Sequence, residues 1–157
     1  MQAKVEKIAA VLLILTIFFL SYARDTSFIL LNAAISNEQF NYANTEIPEF
    51  FKQLSFAQLK QLKWLMSIGL AGIFMVITTA IIHLYFHNKQ FTKLTVMLYL
   101  IFGCSALFTE YINYLFKLPT RFSNILHFPQ TLIESPLVVL ILFSGLFFIE
   151  TLKSKTR

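Results

Sequence analysis

The sequence predicts an all-α integral membrane protein: a four-helix bundle with one short helical region in an extracytoplasmic loop. Three observations predict it. Of 157 residues, 57% are hydrophobic and only 13% charged, a balance outside the range of ordinary soluble domains. Four apolar runs approach or exceed the roughly 20 residues that cross a hydrocarbon core. The net charge of +5 collects beside the ends of those runs, where basic residues set orientation and meet anionic lipid. That distribution excludes a nucleic-acid reading. Eighteen Phe and six Tyr suit lipid contact and interfacial anchoring.

The first span covers about 6–23; its apolar run from Ile8 to Ala23 has Lys4 and Lys7 behind it and Arg24-Asp25 ahead. Apolarity resumes at Phe28, so the helix either continues past the charged pair or folds back; a short extension at the outer surface is preferred. The run lacks a convincing small-x-small cleavage site, with Tyr22-Ala23-Arg24-Asp25 following it, and no cleavable signal peptide is expected. Residues 26–62 form the outer loop. Within it, Thr45 before Glu46-Ile47-Pro48-Glu49 reads as a helix start, and Ser55-Phe56-Ala57-Gln58 fits a capping box. From Ser55 the helix runs into a second span over 64–86, with Lys63 and Trp64 at the interface. A tight connection, His87 to Gln90, leads to the third span, 94–116, stopped by Pro119. After a short segment ending at Pro129 the fourth span covers 131–151, with Pro136 tolerated near its start.

Four spans put both termini on one side. Lys4, Lys7, Lys89, Lys93, Lys153, Lys155 and Arg157 fall there, against Arg24, Lys52, Lys60, Lys63, Lys117 and Arg121 opposite. The cations flanking the termini sit in very short segments, where the positive-inside bias is strongest, so both termini are expected in the cytoplasm.

Ionisable residues within spans cost about 2.5–3.5 kcal/mol each on insertion scales and mark candidate sites. Glu110 shares a helical stripe with Tyr99, Gly103, Ala106, Asn113 and Lys117, small and polar residues expected to face the bundle interior. Glu134 shares one with Val138, Ile141 and Gly145. Together with Arg24, Asp25, Arg121 and His127, these residues (Glu110, Asn113 and Glu134) form the candidate pocket on the outer side. Its simplest use is structural, with Arg24 neutralising a glutamate and tying helix ends together. A pocket for a ligand or partner, or acid–base catalysis by paired carboxylates, are the alternatives.

His83 and His87 stand at i, i+4 and could hold a metal, but no Cys, Asp or Glu accompanies them. Interfacial snorkelling is preferred, and no metal or other cofactor is expected. The single Cys104 excludes dithiol chemistry and reads as a packing residue. With four glycines in the chain, no phosphate-cradling loop is present, and no nucleophile elbow supports a Ser-His-Asp set.

Three short motifs carry a family likeness: Arg24-Asp25-x-x-Phe28-x-x-x-Asn32 after the first span, Leu62-Lys63-Trp64 opening the second, and Glu134-Ser135-Pro136-Leu137 opening the last. In these the chain resembles the small four-span membrane proteins associated with bacterial exosortases, the peptidase-transpeptidases that process sorting signals on surface-destined proteins. The resemblance implies a bacterial inner-membrane accessory subunit, not an enzyme, whose partner is an exosortase-like integral membrane protein and whose polar face is periplasmic. An exosortase itself uses Cys, Arg and His near the outer surface; here Cys104 is mid-span. The chain departs from the family at Glu134, where relatives often carry Gln. A small carboxylate-dependent transporter built on Glu110 and Glu134, and a membrane enzyme with an outward-facing polar pocket, are the competing functions.

Overall fold

The computed structural model describes residues 2–37, 46–116 and 128–155. All regular structure among them is helical: α1 (Gln2–Ser36), α2 (Glu49–Lys52), α3 (Phe56–Phe86), α4 (Lys89–Phe116), α5 (Phe128–Ile133) and α6 (Pro136–Lys155). Helices α1, α3, α4 and α6 are each long and apolar enough to cross a membrane. The protein is an all-α, four-helix membrane bundle.

Helix α1 does not stop at the charged pair. It runs unbroken through Arg24 and Asp25 to Ser36, and Asn37 ends it in the left-handed region at φ 53°. No Gly or Pro interrupts that length, and Arg24 finds partners without leaving the helix. The stretch 26–62, expected as the outer loop, is therefore helical at both its ends, over 26–36 and 56–62. Helix α3 begins on the capping box, Ser55 N–H donating to Gln58 Oε1 at 2.8 Å and Gln58 N–H to Ser55 Oγ at 3.4 Å. Helices α1 and α3 pack against each other, burying Leu31, Ala33 and Leu59 beyond the level of Arg24.

His87 closes α3 at φ 50°, and Asn88 opens α4 by accepting from Gln90 N–H at 2.9 Å. Here the α3–α4 turn meets the start of α1 and the end of α6. Glu6 Oε2 lies 3.0 Å from His87 Nε2, Lys7 stands over Tyr85, and Lys153 over Phe91. Both ends of the described chain thus share one end of the bundle. Edge-to-face rings of Tyr85, Phe86, Phe91 and Phe143 join α3, α4 and α6 there. His83 and His87 do not form a pair. His83 Nδ1 is 3.3 Å from Thr92 Oγ1 while His87 turns to Glu6.

The core of Ala10, Ile17, Phe74, Ile81, Tyr99, Val138 and Val139 is continuous between these helices. Outward faces are apolar too, as at Leu12, Leu15, Phe19, Val76, Ile101 and Phe148. In water such patches would drive association; in hydrocarbon they are the natural surface. Helix association there rests on van der Waals contact and interhelical hydrogen bonds. One such bond, 2.9 Å between Thr78 and Tyr99 hydroxyls, is buried between α3 and α4.

The inward stripe of α4 includes Tyr99 and Ala106, both buried. Two details of the stripes are corrected. On α6, Ile141 and Gly145 face outward; the inward residues are Val138, Val139, Leu142, Phe143 and Leu146. The break before Pro136 resets the helical phase, so a stripe counted from Glu134 does not carry through it. Small residues are also not required for close approach. A Cβ added to Gly103 or Gly145 meets nothing within 4 Å.

Candidate functional site

The fourth apolar segment enters through a broken backbone. Helix α5 ends at Ile133, Glu134 and Ser135 form a turn, and α6 starts at Pro136. Proline has no N–H to donate to the carbonyl four residues back. Leu132 O instead accepts from Ser135 N–H at 3.1 Å and Ser135 Oγ–H at 2.9 Å. Hydroxyl compensation of this kind is how non-helical backbone survives near hydrocarbon. The turn aims the Glu134 side chain inward, where it is 1% exposed.

Four residues from three helices and that turn then satisfy one another. Arg24 donates from Nε at 2.9 Å and Nη2 at 2.8 Å to Glu134 Oε2. Ser67 Oγ donates to Glu134 Oε1 at 2.7 Å, and Gln130 Nε2 donates to Ser67 Oγ at 2.6 Å. The remaining edge of Arg24 reaches Asp25 Oδ1 at 2.8 Å, and its guanidinium carbon lies 5.3 Å from the Phe28 ring centre. Arg24 is 15% exposed and Asp25 60%. A buried ion pair gains little when its remaining donors and acceptors are unmet; here both carboxylate oxygens are occupied.

Helix geometry sets the depth. At 1.5 Å per residue, Ser67 and His87 are about 30 Å apart along α3, and Glu6 and Arg24 about 27 Å apart along α1. That is the thickness of a hydrocarbon core. A hydrocarbon boundary drawn at the cluster thus puts the Glu6–His87 contact at the other boundary. Beyond the cluster, α1 continues for about 18 Å and α3 for about 16 Å. Between these overhangs lies a cleft of about 800 Å³, lined by Arg24, Asp25, Phe28, Asn32, Lys60, Lys63, Trp64, Ser67 and Gln130 among others.

Of the residues expected in the pocket, Arg24, Asp25 and Glu134 come together. Arg121 and His127 lie outside the described residues, as do the side chains of Glu110 and Asn113, so the meeting of the two glutamates is not part of the described site. Ser67 and Gln130 were not expected. Ser67 is an isolated hydroxyl within the span, and Gln130 stands one turn before Glu134; polar residues inside apolar runs are the signal that finds both. No group of three or more potential metal ligands occurs among the described residues. A scan of family models and searches of curated proteins and solved structures find no match to this chain.

Proposed function

We propose that the chain is a non-enzymatic subunit of a bacterial inner-membrane envelope or protein-sorting system, binding a second integral membrane protein at the rim of the cleft. The observation that carries this reading is convergence. Arg24, Asp25, Phe28 and Asn32 after the first span, and Lys63 and Trp64 opening the second, line one cleft. Glu134, opening the last span, bonds to Arg24 beneath it. These are the motifs in which the chain resembles exosortase-associated proteins, and the partner that likeness implies is an exosortase-like enzyme. The chemistry agrees, because a carboxylate whose two oxygens are taken by Arg24 and Ser67 ties the helices together. The lysines at the opposite end support a reading with both termini in the cytoplasm and the cleft outside.

A photo-crosslinking residue at Asn32 tests this in cells of the source organism. A covalent adduct with a second integral membrane protein, also retained on co-purification in mild detergent, is expected. A chain that runs alone in both experiments contradicts it. A second reading, a carboxylate-dependent carrier, is favoured by one observation: the cleft opens over Arg24, which holds Glu134. Loss of substrate flux in a folded Glu134→Gln variant would select it.

A further inference from the structure

Below the cleft the lining changes character. A second cavity of about 270 Å³ runs between α3 and α4, bounded by Ile68, Ala71, Leu100, Gly103 and Leu107, with Tyr99 at its foot. Trp64, Ser67 and Gln130 line both cavities, so the polar cleft and the apolar groove adjoin. Their depths fit one class of molecule. Lys63 stands about 6 Å and Lys60 about 10 Å beyond Ser67 along α3, the level of the headgroup layer. Thr78, bonded to Tyr99, lies about 16 Å on the other side of Ser67, close to the bilayer midplane. The groove thus spans the depth of one leaflet.

Charge selects the headgroup. Arg24 is matched by Glu134 and Asp25, whereas no carboxylate among the described residues pairs with Lys60 or Lys63, and Lys60 only stacks on Phe56 at 4.4 Å. We infer that the cleft and groove together bind one anionic phospholipid from the leaflet on the cleft side, its phosphate on Lys60 and Lys63 and one acyl chain between α3 and α4. Trp64, shared by both cavities, stands at the junction, where an amphipathic ring is at home. This site goes beyond the partner reading and does not require it.

Native mass spectrometry of the full chain in detergent micelles, with phosphatidylglycerol and phosphatidylcholine of identical acyl chains, tests it. Phosphatidylglycerol should be retained in preference, and Lys60→Gln with Lys63→Gln should weaken it about thirtyfold, at roughly fivefold per cation near an anionic headgroup, leaving phosphatidylcholine unchanged. Both lysines lie outside the hydrocarbon, so these variants keep the bundle. Gly103→Phe, or Leu107→Trp should the first disturb helix packing, fills the groove and should weaken both lipids. Glycerol 3-phosphate and inorganic phosphate at equal concentration should displace neither. Equal retention of the two lipids, indifference to the lysines, indifference to both groove variants, or displacement by inorganic phosphate would each overturn the assignment.

Discussion

Arg24 of the first span donates twice to a single carboxylate oxygen of Glu134, 110 positions further along the chain. The other oxygen of that carboxylate takes a hydrogen from Ser67 on α3. One buried acid thus joins the first apolar helix, the second, and the turn that begins the last. It does so where hydrocarbon gives way to headgroups. There a charged pair keeps access to polar surroundings on the Arg24 side while Glu134 stays fully enclosed.

The pair is also why α1 can continue. An arginine and an aspartate in mid-helix would mark the end of a span, yet Arg24 is satisfied in place and the helix carries on to Ser36. Spin labels at Phe19 and Asn32, both exposed, should report a narrow distance near 20 Å, as expected for an uninterrupted helix. A shorter or broad distribution would mean that the chain folds back at the charged pair.

Mid-bundle, the Thr78 and Tyr99 hydroxyls share a buried hydrogen bond between α3 and α4. Interhelical bonds in membranes average about 0.6 kcal/mol and reach about 1.7 kcal/mol. A double-mutant cycle with Thr78→Val and Tyr99→Phe should return coupling within that range. Zero coupling would show that the hydroxyls gain nothing from each other.

Gly103 sits on the open wall of the groove, where an added Cβ meets nothing within 4 Å. Gly103→Ala should therefore leave the isolated chain within about 0.5 kcal/mol of its original stability, the ordinary range for surface changes. A larger loss in thermal unfolding would indicate that α3 and α4 approach more closely than described.

The fold was legible because apolar run length and flanking cations are physical requirements of the bilayer, and they survive in a single sequence. The break before the last span was legible for the same reason: Glu134-Ser135-Pro136 cannot continue a helix without compensation. The site was only partly so. Arg24, Asp25 and Glu134 declared themselves by the cost of charge near hydrocarbon. Ser67 and Gln130 did not, because a hydroxyl or an amide in a span is cheap and gains meaning only from its neighbour across the bundle. The inward face of α6 was misplaced at Ile141 because the turn at Glu134 shifts the phase by an amount that spacing alone does not reveal. The end of α1 was obscured because charge was weighed without its partner.

The most direct measurement is a double-mutant cycle on Arg24 and Glu134, following unfolding by SDS titration in mixed micelles. Arg24→Met and Glu134→Leu should each destabilise by about 3–5 kcal/mol, since either leaves a charge without its buried partner, whereas the double variant should recover most of that loss. If the two losses are small, or simply add in the double variant, Arg24 and Glu134 are not joined and the outer cleft is not built on them.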